Sequence, residues 1–303
     1  MAAPCEANGA EWTIGRLLNW TSEYLASHGV DEARLASEVL LAHAANCRRI
    51  DLYARFDRPL DAEQLDRFRE WVRRAAAREP IAYLVEEKEF FSLAFRVTPD
   101  VLVPRPETEL LVECALDHCA KTGLTEPKLL DLGTGSGCIA VSVLTQLSGA
   151  TAVATDVSPA ALDVVRFNAD RHGVADRLLL VEADRLALPD GVVPEGGFDM
   201  LLSNPPYINP DTMDALDSTV RDFEPQIALT DGEDGLSFYR SIAADAPRLL
   251  ASGGVAMVEV ADCQAAAAVE VVEATGRFAH KETRADRVVG QERLLVFSLA
   301  PKA

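Results

Sequence analysis

The chain has 303 residues, 49% hydrophobic and 25% charged, with 18 glycines and 16 prolines, a composition that allows one large core plus a smaller satellite domain and excludes disordered, collagen-like and disulfide-scaffold classes. Its 29 Lys and Arg against 48 Asp and Glu leave a formal net charge of −19, which repels nucleic-acid backbones at long range. No run of about 18 apolar residues occurs, and Met1–Glu11 has neither a basic start nor an apolar stretch, so no membrane span or signal peptide is expected and the expected compartment is the cytoplasm.

In the first eighty residues the spacing predicts helices. Leu17, Leu18, Thr21, Tyr24 and Leu25 share one helical face; Leu35, Val39 and Leu40 repeat it after an Asp31 cap, and Leu65, Phe68 and Val72 after an Asp61 cap. Three or four short helices make a small bundle. Pro80 closes it, and the aromatic stretch Glu89–Thr98 predicts a hairpin. Beyond it, helical patterns at 106–121, 138–147, 159–172, 235–250 and 264–275 alternate with strand patterns at 128–132, 151–155, 178–181, 198–202, 255–260 and 294–299. That alternation predicts βαβ units, hence an α/β fold with a Rossmann-like, doubly wound, mostly parallel sheet. The expected division is 1–85, a helical bundle; 86–105, a linking hairpin; and 106–303, the α/β domain.

Six cysteines (Cys5, Cys47, Cys114, Cys119, Cys138, Cys263) form no C-x-x-C pair, and the five histidines show no metal-ligand spacing. Reduced thiols and no metal site are expected.

The first strand pattern runs into Asp131-Leu-Gly-Thr-Gly-Ser-Gly137 and then a helix. Gly133, Gly135 and Gly137 allow a tight turn and close ligand approach, with Thr134 and Ser136 between them, and the helix start offers unpaired N–H groups. A dinucleotide fingerprint reads G-x-G-x-x-G, one residue longer than the spacing here. Asp131, just before the loop, suits a cationic ligand better than a pyrophosphate. Asp156 ends the second strand nineteen residues beyond Gly137, where a carboxylate can accept both hydroxyls of a ribose; its alternative is a helix cap. Asp184 ends the third strand, placed for an adenine amino group or for a plain turn. Acidic groups where a pyrophosphate would sit point to S-adenosylmethionine, whose sulfonium and ammonium are positive.

The fourth strand runs into Asn204-Pro205-Pro206-Tyr207. Consecutive prolines fix φ and donate no hydrogen bond, presenting the Asn204 side chain and the Pro205 carbonyl at the carboxyl edge of the sheet. An amide or aniline-type nitrogen is a poor nucleophile because its lone pair is delocalised. Two acceptors, the Asn204 side-chain oxygen and the Pro205 carbonyl, can bind both its hydrogens and orient it towards a methyl donor, while Tyr207 stacks on the flat group. Asn204, Pro205 and Tyr207 are thus the candidate catalytic residues; positioning and electrostatics carry the rate.

Taken together, the segments Glu79–Leu84, Glu89–Leu93, Val103-Pro-Arg-Pro-Glu-Thr-Glu109, Leu130–Ala140, Ser203–Ile208 and Arg221-Asp-Phe-Glu-Pro225 with Leu229, Asp231, Gly232, Asp234 and Gly235 resemble the bacterial-type release factor glutamine methyltransferases. The resemblance implies a class I methyltransferase fold with a small N-terminal helical domain, S-adenosylmethionine as cofactor, and transfer of its methyl group to N5 of the glutamine in the Gly-Gly-Gln motif of class 1 peptide chain release factors. It also implies that Gly133 to Gly137, Asp156 and Asn204 contact the cofactor, that Asn204, Pro205, Pro206 and Tyr207 hold the glutamine, and that the N-terminal helices recognise the release factor. Three positions depart from the family pattern. Arg185 follows Asp184 where an aromatic residue is frequent, and a guanidinium stacks on adenine as well. Val85-Glu86-Glu87 replaces a stretch that commonly holds Gly, and Val258-Glu259-Val260-Ala261 lacks the Gly usual soon after that Glu.

Asn-Pro-Pro-Tyr equally suits an exocyclic adenine amine, so adenine-N6 methylation of DNA or RNA is the competing activity; a non-catalytic binding module is a third. The chain beyond residue 95 carries −15 of the −19 charges, poor material for a nucleic-acid channel. No direct nucleic-acid or membrane partner is therefore expected, and a monomer is favoured.

Overall fold

The computed structural model describes residues 11–286 and 290–300; Cys5 and the N-terminal stretch up to Ala10, on which the expectation about a signal peptide rests, lie outside the described residues. The chain divides into two compact units. One holds the chain up to Glu86 with Ser218–Phe223, the other Glu87–Asp217 and the chain from Glu224 on.

In the first unit five helices follow in order: α1 (Ile14–Ser27), α2 (Ala33–Ala44), α3 (Arg49–Ala54), α4 (Ala62–Ala76) and α5 (Ile81–Val85). Leu17, Leu18, Leu25, Leu40, Leu41, Phe68 and Val72 are buried together, each worth about 1.5–3 kcal/mol of transfer free energy. Asp61 caps α4 as its spacing predicts, with Gln64 completing a capping box. Asp31 does not cap α2. Glu32 stands at that end with φ +45° and no side-chain cap bond, and the buried face runs through Ala36, Leu40, Leu41 and Ala44, with Leu35 and Val39 at its margin. Two of the five helices are too short to show a period, which is why the sequence pattern yields only three or four.

The second unit opens with a hairpin of β1 (Glu87–Phe90) and β2 (Leu93–Arg96), in register Glu87 to Arg96. A short 3-10 turn, Pro106–Thr108, leads into α6 (Glu109–Thr122). Then come β3 (Lys128–Leu132), α7 (Cys138–Gln146), β4 (Thr151–Asp156), α8 (Pro159–Arg171), β5 (Leu178–Glu182) and β6 (Phe198–Ser203). Short helices α9 (Ser218–Arg221, grouped with the first unit) and α10 (Gln226–Leu229) precede α11 (Ser237–Asp245), β7 (Leu250–Glu259), α12 (Ala265–Glu273), β8 (Phe278–Ala285) and β9 (Glu292–Leu299).

Seven strands form one sheet in the order β5-β4-β3-β6-β7-β9-β8, in which β9 alone runs opposite to the other six. Successive residues of β3 serve opposite faces: Leu129 packs with Val112, Ile139 and Val165, whereas Leu130 packs with Ile242 and Val272. The fold is a doubly wound, mostly parallel α/β sheet flanked by helices, and the chain also holds an N-terminal helical unit. Two differences from the sequence pattern have simple causes. The helix expected over 235–250 ends at Asp245, because Pro247 cannot continue its hydrogen bonds. β8 was not foreseen: Ala279-His-Lys-Glu-Thr-Arg284 is polar, with the half-solvated character of an edge strand. No helix among the described residues is long and apolar enough to cross a membrane.

Candidate active site

β3 and β6 are neighbours, and the chain leaves β3 towards β4 on one side and β6 towards β7 on the other, so the strand order reverses between them. This is the switch point at which open α/β sheets bind ligands. A cavity of about 400 Å³ opens there, within the range of small-molecule sites.

The loop after β3 is braced from below. Asp131 is fully buried, and its Oδ2 accepts from the Thr134 hydroxyl at 2.7 Å and from the Ala140 N–H at 3.2 Å. Burial pushes this carboxyl up to about 6 against those two bonds. Asp131 therefore does not face the cavity as a partner for a cation; it shapes the loop that does. Gly133, Thr134, Gly135 and Ser136 line the cavity, whereas Gly137 sits buried behind it. Gly137 has φ +79°, and a Cβ there would stand 2.8 Å from Val165 Cγ1 of α8, so close helix packing as well as the turn demands glycine. Asn168 of α8, fully buried, ties the same loop to the hairpin: its Nδ2 donates to the carbonyls of Ser136 (2.8 Å) and Arg96 (3.0 Å), and its Oδ1 accepts from Arg96 N–H (2.7 Å).

Asp156 lines the cavity at the end of β4, accepting from Gly135 N–H at 3.0 Å and Ser158 N–H at 3.0 Å. It is not the helix cap; Ser158 is, accepting from Ala161 N–H at 3.2 Å. Asp184 and Arg185 also line the cavity. Arg185 adopts φ +51°, lays its guanidinium 5.1 Å from the Phe238 ring centroid and donates to Ser237 Oγ at 3.2 Å, presenting a flat cation to the cavity. Carboxylates of Asp100, Asp156, Asp184 and Asp231 on this wall alternate with Leu102, Ile139 and Phe238. Those acceptors and apolar surfaces fit a ligand with a flat aromatic base at one end and cationic groups in its middle and at its other end, as in S-adenosylmethionine.

Asn204 and Pro206 line the cavity; Pro205 is buried, and Tyr207 lies off the lining. Asn204 Nδ2 donates to Thr108 Oγ1 at 3.2 Å, which leaves its Oδ1 as the free acceptor. Tyr207 is held by its backbone, whose carbonyl accepts from Gln264 Nε2 at 3.0 Å, and Gly235 passes so close to that carbonyl that a Cβ would collide with it. Burial pushes the Tyr207 phenol up, and the nearby charge of Glu259 adds to the effect.

Sequence reasoning missed several residues of the site. Glu224, 6% exposed, accepts from Arg105 Nη2 at 2.6 Å and from Val103 N–H at 3.2 Å; the two segments Pro-Arg-Pro-Glu-Thr and Phe-Glu-Pro, far apart in sequence, are joined by this pair beside the cavity. Asp231 lines the cavity and accepts from the N–H groups of Glu233, Gly235 and Ser237. Burial opposes its charge, but those bonds outweigh it and hold the carboxyl below its ordinary range. Glu259, 3% exposed at the end of β7, is pushed up to about 7 by burial, while the hydroxyls of Thr108 and Tyr207 favour its charged form. The one available signal was an acidic residue closing an apolar strand at the same edge as Asp156. The five described cysteines are free, and burial pushes the Cys114 thiol up to about 11 and Cys138 up to about 12.

Two family models match this chain. Residues 16–85 match the family described as PrmC N-terminal domain, and residues 106–222 the Methyltransferase small domain. A release factor glutamine methyltransferase of Rhodopirellula baltica is 40% identical across 95% of this chain and 97% of its own length. Another, of Geobacter sulfurreducens, is 43% identical across 92% and 96%, and one of Burkholderia pseudomallei 46% identical across 83% and 87%. Among solved structures, the human Mettl16 catalytic domain in complex with an RNA hairpin superposes with TM-score 0.53 at 20% identity, over 75% of this chain and 82% of that one. That likeness concerns the fold alone. Near-complete coverage at this identity, in both domains, places the chain in the release factor glutamine methyltransferase family.

Proposed function

We propose that this chain transfers the methyl group of S-adenosylmethionine to N5 of the glutamine side chain in the Gly-Gly-Gln motif of class 1 peptide chain release factors. One observation carries the reading: Asn204, fixed by Thr108 at the rim of an acid-walled cavity, leaves a single amide oxygen free to accept a hydrogen bond. When bound, the cofactor supplies an electrophilic methyl on a sulfonium. The rest falls to this chain. Gly133, Thr134, Gly135, Ser136 and Gly137 shape the loop that receives the amino-acid end, Asp156 takes the ribose, and Asp184 with Arg185 flanks the adenine. Asn204 Oδ1 and the Pro205 carbonyl accept the two N–H hydrogens of the substrate amide. That holds the nitrogen lone pair towards the methyl and stabilises the positive charge that nitrogen gains during attack; the proton becomes acidic only as the N–C bond forms. Pro206 and Tyr207 wall the glutamine side chain.

Within this reading residues 1–85 recognise the release factor, 86–105 link, and 106–303 carry the chemistry, in the cytoplasm where release factors act. Adenine-N6 methylation is disfavoured by the charge distribution. The test is to incubate the protein with labelled S-adenosylmethionine, a purified release factor and an adenine-containing oligonucleotide. Label entering the release factor supports the proposal, and label confined to the oligonucleotide overturns it.

A further inference from the structure

Pro205 and Pro206 fix φ but carry no N–H, so neither can donate a hydrogen bond that would hold the Asn204-Pro-Pro-Tyr207 stretch in place. Its course is set at its two ends. At the near end Ser203, fully buried, donates from Oγ to the Leu132 carbonyl at 2.8 Å, just before the glycine loop. At the far end one peptide is gripped on both sides. Gln264 Nε2 donates to the Tyr207 carbonyl at 3.0 Å, and the Ile208 N–H donates to the Leu229 carbonyl at 3.0 Å. Leu229 closes α10, whose Ile227 and Ala228 line the cavity.

Gln264 reaches that carbonyl from the 3-10 turn between β7 and α12, Asp262–Gln264, which its own N–H closes on the Ala261 carbonyl at 2.9 Å. A carbonyl only accepts, so the end of the Gln264 amide that faces it is Nε2. The other end, Oε1, is buried without a hydrogen-bond partner among the described residues. Such orphans are uncommon in folded interiors, and the bond to Tyr207 is the one side-chain hydrogen bond Gln264 makes among those residues. Gly235 leaves room for it: a Cβ there would collide with the Tyr207 oxygen and stand 2.7 Å from Gln264 Nε2. With φ fixed at both prolines and one anchor at Ser203, the Tyr207 carbonyl is the point that decides where the Pro205 carbonyl aims. We propose that Gln264 is a positioning residue that holds the Tyr207 peptide and thereby aims the Pro205 carbonyl at the substrate nitrogen. The proposal rests on the function given above, in which that carbonyl accepts one of the two amide hydrogens.

The experiment compares the native protein with Gln264→Leu, which keeps the bulk and removes the donor, and Gln264→Glu, which regains a donor only when protonated. In Gln264→Leu kcat for methylation of a release factor falls about tenfold to a hundredfold, while the S-adenosylmethionine Kd stays within about threefold and shows the chain folded. In Gln264→Glu the loss relative to the native chain is full near about pH 8 and shrinks towards about pH 5.5, as the carboxyl takes up its proton; in Gln264→Leu it is the same at both. A second arm needs no turnover. Tyr207-Ile208 is the one Tyr-Ile pair in the sequence, so protein labelled with carbonyl-¹³C tyrosine and ¹⁵N isoleucine gives a single cross-peak from that peptide. Its carbon resonance moves upfield in Gln264→Leu, as a carbonyl that loses a hydrogen bond does. A native-like kcat in Gln264→Leu, a cofactor affinity that falls in step with kcat, a loss in Gln264→Glu that ignores pH, or an unmoved carbonyl resonance overturns the proposal. If the native protein itself methylates no release factor, the functional reading falls, and the resonance still decides whether Gln264 holds the Tyr207 peptide.

Discussion

Asn204 Nδ2 donates to Thr108 Oγ1 at 3.2 Å, a bond that spans 96 residues of sequence. It joins the Asn-Pro-Pro-Tyr segment at the end of β6 to the turn that carries Pro-Arg-Pro-Glu-Thr. An asparagine amide has two chemically opposite ends, and this contact occupies the donating one. The accepting end is then available at the cavity rim, which is what a methyl transfer to an amide nitrogen requires.

Asn204→Ala removes that acceptor. Because the acceptor works chiefly as charge develops on the attacking nitrogen, methylation is expected to fall by about 10²–10³-fold with the S-adenosylmethionine affinity largely kept. Steady-state kinetics with calorimetric binding checks this; near-normal turnover contradicts it.

Asp156→Ala is expected to act on cofactor affinity. Losing hydrogen bonds to a charged group costs about 1–3 kcal/mol, read as weaker binding in calorimetry. Unchanged affinity would show that the ribose is held by other groups.

The Arg105–Glu224 pair, 2.6 Å apart with the carboxylate side chain 1% exposed, is expected to hold the two signature segments together. In a double-mutant cycle of Arg105→Met and Glu224→Gln the coupling in urea unfolding is expected at about 2 kcal/mol. Additive effects would show the pair to be energetically idle.

Two glycines of one loop are expected to differ. Gly133 has φ +69° with open space around a built Cβ, whereas Gly137 has φ +79° and Val165 in the way. Gly133→Ala is expected to cost the backbone penalty of about 1–2 kcal/mol, and Gly137→Ala about 1–3 kcal/mol more from overpacking. Equal losses in denaturant unfolding would contradict the packing role.

A pH effect on stability follows from Glu259. Burial pushes it up to about 7 from the ordinary carboxyl value of 4.5, so between these limits the folded chain holds the proton that the unfolded chain has released, and this group's contribution falls as pH rises. Glu259→Gln removes that loss. Its stability relative to the native chain is expected to rise by about 2 kcal/mol from pH 5 to pH 8, measured as the urea midpoint at both values. A pH-independent difference would show that the carboxyl titrates normally.

The sheet and the glycine loop were legible because their signals are local: apolar runs bounded by turns, and glycines between a strand and a helix. Asp61, Asp156 and Asn204 could each be placed from neighbours a few residues away. What was not legible depends on distant partners. Nothing in the spacing of Glu224 indicates Arg105, and Asn168 looks like any polar helix residue until its three bonds to Ser136 and Arg96 are seen. Asp131 was misread for the same reason: its Thr134 and Ala140 partners turn a charge near the ligand into a brace below it. β8 escaped because an edge strand with charged residues lacks an apolar period. Glu86 takes φ +54° at the end of α5, within the stretch where the resemblance implies a glycine, at a cost of about 1–2 kcal/mol of strain.

The most direct measurement is peptide mass spectrometry of a class 1 release factor after incubation with this protein and labelled S-adenosylmethionine. One added methyl on the side-chain nitrogen of the Gly-Gly-Gln glutamine, absent with Asn204→Ala, is the expected result. An unmodified glutamine, or a methyl on any other residue, would contradict the account.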